Sequence, residues 1–410
     1  MSSIPKGLKA KVDALLVSIV SRYTVMPDGV LASESFSNEL FEGALIQLLE
    51  IDSSGLNSTE FESCARKALN LTIKSQVSSS TAFEEQLNLQ IAEFKRKKLL
   101  PFRVCSRCYF SVPQGYRLDI DLWSARLSIS QQAPDGLSVE QPRVTGRAAF
   151  AEPELGAYLT MTVYARTKSG ALDRATRDIG FLLGLLNFTL NLGNLSWSSF
   201  GVEREVRAKI FPGREVFLLN EQGAADDGIW RYYMVHPSHS KLLSSNEIAR
   251  LEQRTTVIER LHRLGKGDRA FYRAFFELYF DALCEVDTDI VVMRLWKAAE
   301  HITMGQQAQH IANRLAITWA DKDAVSAVCY ALGQRRNMTM HGHKPVPQID
   351  SLPESFRHFL ENSAWRSLSK GVKSVAHWKT IMEMSDAGLD LDLAADAVKL
   401  LKTLRRAAPS

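Results

Sequence analysis

Residues 179–192 form a nearly unbroken apolar block, and this block restricts the fold more than any other segment. Ile179, Phe181, Leu182, Leu183, Leu185, Leu186 and Phe188 leave no polar stripe at helical spacing. A helix that is apolar nearly all round must be enclosed by other elements or by lipid. Asn187, Thr189 and Asn191 interrupt the run, and it is too short to span a bilayer. The pattern predicts a central buried helix over about residues 172–192, packed on a sheet.

The flanking segments supply that sheet. Leu118, Ile120 and Leu122 alternate with Asp119 and Asp121, and Leu127 and Ile129 continue the alternation. A period of two is the mark of a half-buried strand. Tyr158 to Arg166 reads as a further strand. Pro134-Asp135-Gly136 is a turn in which Pro presets φ and Gly accepts positive φ. Asp227-Gly228 separates Val216-Phe217-Leu218 from Ile229-Trp230-Arg231-Tyr232-Tyr233 and predicts a hairpin turn.

Helical periodicity precedes this region, over about 7–24, 36–50, 58–73 and 81–99. It resumes after Ser240. There Ser244 and Glu247 make a capping box, and helices follow near 245–264, 268–284, 288–304, 306–319, 321–341, 353–382 (broken near Gly371) and 391–406. The expected fold is an α+β N-terminal region, helices plus a largely antiparallel sheet, followed by an all-α helical bundle. The segments are 1–100 (helical), 101–240 (α+β) and 241–410 (helical). A chain of 410 residues with 45% hydrophobic and 23% charged residues is ordinary globular material for two or three domains.

Charge and cysteine content exclude little. A net charge of +4 is compatible with nucleic acid without arguing for it. Lys95-Arg96-Lys97-Lys98 could touch RNA, but cations also favour the last turn of any helix, and a solvated helix end is the expected reading. The five cysteines form no framework. Cys105 and Cys108 lack a second pair, so reduced thiols in or beside a strand are expected rather than zinc ligands. His341 and His343 lack acidic or thiol neighbours at ligand spacing, so no metal site is expected. There is no P-loop and no dinucleotide fingerprint, so no cofactor is expected either. His236-Pro237-Ser238-His239 has no partner in view, and His301 and His310 read as ordinary helix residues. No signal peptide is visible, and the expected location is the cytoplasm.

One string near the C-terminal third carries chemistry: Arg336-Asn337-Met338-Thr339-Met340-His341, then Gly342. An always-charged guanidinium, a carboxamide and a titratable imidazole fall within about one and a half helical turns. Cleaving RNA without a metal needs a base for the 2′-hydroxyl, an acid for the leaving 5′-oxygen and a cation on the phosphorane. Histidine transfers protons near neutrality, and an arginine fork matches phosphate oxygens. Asn337 could orient the phosphate or the imidazole. On a regular helix, Arg336 and His341 lie about 140° apart. Either the helix end unwinds at Gly342, or two copies of the motif meet across a two-fold dimer.

The string resembles the signature of the HEPN family, Arg-Asn-x-x-x-His. Arg294-Leu295-Trp296-Lys297-Ala298-Ala299-Glu300, about forty residues upstream, is similar to the Arg, aromatic and Glu helix that many members carry. The likeness covers roughly 245–406 and is specific at about ten positions. It implies a HEPN-like bundle and a metal-independent endoribonuclease whose Arg336 and His341 are pooled across a homodimer. Glu300 would hold Arg336 or bias His341, and products would end in 2′,3′-cyclic phosphate and 5′-hydroxyl. Arg335, His343, Lys344 and Tyr330 are candidate substrate contacts, with a core position the equal alternative for Tyr330 and a solvated loop that for His343. By analogy with bacterial antiphage proteins, residues 1–240 would restrain or trigger the nuclease. The expected role is abortive infection by cutting tRNA or other host RNA, with a phage-derived trigger or an antitoxin as partner. The other reading is a non-catalytic HEPN-fold module that senses nucleotide, RNA or a phage protein.

Overall fold

The computed structural model describes residues 4–33, 38–49, 56–108, 110–123, 125–132, 134, 156–192, 208–220, 225–232, 241–252, 254–341, 351–369 and 371–386. The chain divides into two compact units. One comprises residues 1–102 with 163–175, and the other comprises 103–162 with 176–410.

The first unit opens with α1 (Lys9–Val20), the short hairpin β1 (Tyr23–Val25) and β2 (Leu31–Ser33), and α2 (Asn38–Gln47). Then come α3 (Ser58–Lys74) and α4 (Ser80–Arg96). Their core is Val12, Leu16, Ile19, Phe61, Ala65, Leu69, Ile73, Phe83, Leu87 and Ile91. Helical spacing of these residues puts them on single faces, which is why the segments fold as helices. Asn57 caps α3. Its Oδ1 accepts from Glu60 N at 2.8 Å, and Glu60 Oε2 accepts from Asn57 N at 3.3 Å.

The sheet strands are β3 (Leu100–Cys108), the short β4 (Phe110–Ser111), β5 (Arg117–Leu122), β6 (Ala125–Ser130) and β7 (Ala157–Ala165), then β8 (Pro212–Leu219), β9 (Ala225–Tyr232) and the short β10 (Lys241–Leu242). Six of them form one sheet in the order β5-β6-β7-β3-β8-β9. The pairs β5–β6, β6–β7, β3–β8 and β8–β9 are antiparallel. β4 and β10 pair separately, in parallel. Burial alternates strictly along β5, as its sequence predicts. Cys105 and Cys108 are buried in β3. The predicted hairpin is present, with Val216 facing Arg231 and Phe217 facing Trp230. Asp227-Gly228 is not its loop: Leu219 faces Ala225, and Asp227-Gly228 stands inside β9, where the register with β8 shifts. The turn-prone pair thus falls at an irregularity of the ladder.

The buried helix is α5 (Lys168–Asn191). In the second unit its Phe181 and Phe188 pack on Phe276 of α8 (Lys266–Leu283), with centroids 6.1 and 5.5 Å apart. A Cβ at Gly184 would lie 2.1 Å from the Phe276 carbonyl oxygen, so glycine is what lets the two backbones approach. The polar interruptions are satisfied. Asn187 Nδ2 donates to Leu183 O at 2.8 Å and Ile210 O at 2.9 Å, and its Oδ1 accepts from Lys209 N at 2.7 Å. Asn191 donates to Tyr279 Oη at 3.0 Å. Among the described residues no helix is long and apolar enough to cross a membrane.

The remaining helices are α6 (Ser245–Glu252), α7 (Arg254–His262), α9 (Thr288–Thr303), α10 (Ala308–Ala316), α11 (Lys322–His341), α12 (Ser351–Ser367) and α13 (Val375–Ser385). The predicted Ser244–Glu247 box is present, with Glu247 N donating to Ser244 Oγ at 3.3 Å and Ser244 N to Glu247 Oε2 at 2.9 Å. The helix expected over 391–406 lies outside the described residues.

Candidate functional site

Helix α9 is the support of the site. Asp287 caps it by accepting from Asp289 N and Ile290 N, and Met304 ends it in the left-handed conformation. Val291, Val292, Leu295, Trp296, Ala299 and Ile302 turn one broad face inward. Trp296 stacks on Phe356 of α12 at 5.6 Å, and Trp378 of α13 donates its indole N–H to Ile302 O at 2.8 Å. Glu300 lies off this face and stays about one-third exposed.

Helix α11 crosses α9 at a small-residue contact. Cys329 and Leu332 are buried, and a Cβ at Gly333 would lie 2.7 Å from Trp296 Cη2 and 3.2 Å from Ala308 Cβ. Close passage at Gly333 places the next half-turn, Arg335 and Arg336, over α9. The two arginines then part. Arg335 is buried and reaches Asp289 at the start of α9, with Nε to Oδ1 at 2.9 Å and Nη2 to Oδ1 at 2.7 Å. Arg336 reaches towards the other end of α9, where its Nη2 lies 3.6 Å from Glu300 Oε1.

The Glu300 contact is too long for a hydrogen bond and acts through charge. Arg336 Nη1 also donates to Asn337 Oδ1 at 3.0 Å. A guanidinium has five donors. With one given to Asn337 and a third of the side chain open to solvent, Arg336 keeps donors for an incoming phosphate. The Glu300–Arg336 pair is half-solvated, so its net contribution to folding is small, ~0–1 kcal/mol. Its consequence is to fix where the cation stands.

Of the residues singled out from the sequence, Arg336, Asn337 and Glu300 come together. Helix α11 runs through His341, so the position of His341 is set by the same regular helix. Unwinding before His341 does not occur, which leaves Arg336 and His341 about 140° apart around one axis. Arg335 is not with them; it is tied to Asp289 inside the bundle. Tyr330 is exposed on α11, not in the core. His343 and Lys344 lie outside the described residues. Arg294 is held at the end of α8, donating to Asp281 O at 3.1 Å and pairing with Glu285 at 2.7 Å. His301, next to Glu300, stacks on Phe271 at 4.4 Å with Nε2 2.7 Å from Phe271 O, and burial holds its pKa below the ordinary histidine value.

Sequence reading missed Asp289 and Gly333. Gly333 carries a legible signal, a glycine in mid-helix one turn before the motif, where close helix approach is the usual physical reason. Asp289 carries none, because an acid in a first helical turn is explained by the dipole alone. Among the described residues no three His, Cys, Asp or Glu side chains converge as a metal-binding group. The chain matches no family model, no curated protein and no solved structure. The resemblance to the HEPN family therefore rests on the residues themselves.

Proposed function

We propose that this chain is a HEPN-type endoribonuclease that cuts RNA without a divalent metal, using Arg336 and His341 pooled from two copies. The observation that carries this reading is the placement of Arg336. It is about one-third exposed, steadied by Glu300 and Asn337, and borne on a helix that stays regular through His341. In the proposed reaction the ribose 2′-oxygen loses its proton to a base and bonds to phosphorus. The bond from phosphorus to the 5′-oxygen breaks, and that oxygen takes up a proton. Histidine suits both transfers, and Arg336 bears the added phosphorane charge. The products carry 2′,3′-cyclic phosphate and 5′-hydroxyl ends. The proposed setting is antiphage abortive infection, with tRNA or another host RNA as substrate.

The test is cleavage of total RNA by purified protein in excess EDTA. Wild type is expected to cut. Arg336→Ala and His341→Ala are each expected to lose about a hundredfold or more, the usual scale for a positioned proton-transfer or charge-stabilising group. Equal cleavage by either variant contradicts the proposal.

A further inference from the structure

We infer that the first unit carries a second nucleic-acid contact, a basic and aromatic surface for single-stranded RNA formed where the end of α4 meets the end of β7. It stands apart from the cleavage reading and involves no residue of α9 or α11. β3 and β7 are neighbours in the sheet, and Gly156 N, just before β7, donates to Cys108 O at the end of β3 at 3.2 Å. The opposite ends, Leu100–Phe102 and Val163–Ala165, therefore come together, and both belong to the first unit. This brings Lys95-Arg96-Lys97-Lys98 to the segment Tyr164–Arg174, which lies about seventy residues away in sequence.

A hydrogen bond crosses the junction: Arg166 Nη2 donates to Lys95 O at 3.4 Å. Within the second segment, Arg174 Nη1 donates to Tyr164 O at 3.1 Å. Phe94 lies beneath, with Lys97 Nζ 5.3 Å and the Arg166 guanidinium 6.0 Å from its ring centre. The four residues 95–98 are exposed, as is Lys168. Among the described residues, no carboxylate lies within ion-pair distance of Lys95, Arg96, Lys97, Lys98 or Arg166. Of the nearby acids, Asp173 is buried and accepts from Thr59, Glu60 caps α3, and Glu93 precedes Lys97 by one turn without reaching ion-pair distance.

The helix dipole accounts for cations at the end of α4 but not for Arg166, which arrives from the end of β7. Beside these charges stand large exposed apolar groups: Tyr164 at 56%, with Leu99 and Leu100 close to half exposed. The cations of residues 95–98 and Arg166, with the open Tyr164 ring two residues before Arg166, fit a flexible polyanion with stackable bases. A duplex, whose bases are already stacked, uses only the charges.

The test measures binding of the full-length protein to a labelled single-stranded 2′-O-methyl RNA. The blocked 2′-oxygen prevents cleavage and separates this measurement from the reaction proposed above. Lys95→Ala/Lys97→Ala/Lys98→Ala is expected to weaken binding at least about tenfold. It should also lower the slope of log affinity against log salt by about two, near 0.7 for each phosphate that is no longer neutralised. Tyr164→Ala is expected to weaken binding about tenfold at a constant salt slope. Unchanged thermal midpoints in both variants show that the fold is retained. Wild type that does not bind the RNA, a triple variant with wild-type affinity and slope, or polyaspartate competing as well as RNA would each overturn the inference.

Discussion

Arg357 meets Glu361 inside the helical core, whereas Arg336 meets Glu300 at its surface. The core pair is closed: Nη1 to Oε1 is 2.6 Å, and Glu354 takes Arg357 Nε at 2.8 Å. Tyr279 donates its hydroxyl to the same glutamate, and both side chains are fully enclosed. Burial raises the pKa of Glu361 and of Tyr279, so the network holds its form by mutual compensation. The surface pair is 3.6 Å apart and about one-third open on each side. The same two functional groups thus serve opposite ends. Enclosure makes a pair costly to break and chemically silent, while partial solvation makes it cheap to break and open to a ligand.

Stability measurements can break this contrast. Glu361→Ala leaves Arg357 Nη1 and the Tyr279 hydroxyl without their acceptor, and is expected to cost about 3–5 kcal/mol in urea unfolding; a loss below about 1 kcal/mol would erase the difference between the two settings. Gly333→Ala forces a methyl against the Trp296 ring. About 1–2 kcal/mol of net loss should remain after the helix-propensity gain, with cleavage reduced because Arg336 shifts over α9. No change in either would show that the crossing is loose. Arg335→Ala should cost about 1–2 kcal/mol, against less than about 1 kcal/mol for its neighbour Arg336→Ala. Equal costs would mean that the two arginines are not separated into core and surface roles.

The smallest effect concerns pH. The pKa of His301 is depressed in the folded state, so folding favours the neutral ring. Stability from this source is fully present above the ordinary histidine value and is lost as pH falls through it towards the depressed one. His301→Gln should flatten that part of a urea-midpoint profile between about pH 7 and 5. An unchanged profile would remove His301 from the account.

Much of the fold was legible because one-dimensional periods report burial directly. The alternation of Leu118, Ile120 and Leu122 and the all-round apolar run of α5 each have one physical solution. Glu300 and Arg336 were legible as a pair through motif resemblance. What stayed hidden depends on partners remote in sequence. Nothing local distinguishes Arg335 from Arg336; Asp289 buries one and Glu300 leaves the other open. The basic run 95–98 looked complete as a helix end until residues 164–174 arrived beside it. Asp227-Gly228 marked the hairpin but not its loop, because turn chemistry is a local preference and the pair was taken up where the strand register shifts.

The central claim is that one cleavage site draws its arginine and its histidine from different copies of the chain. Arg336→Ala and His341→Ala subunits, co-expressed with different tags and purified as the mixed species, test it in EDTA. Each variant alone is expected to be inactive. The purified mixed dimers should restore about half of the wild-type sites, because each assembles one intact site and one site lacking both groups. A mixed preparation no more active than either parent would contradict the claim.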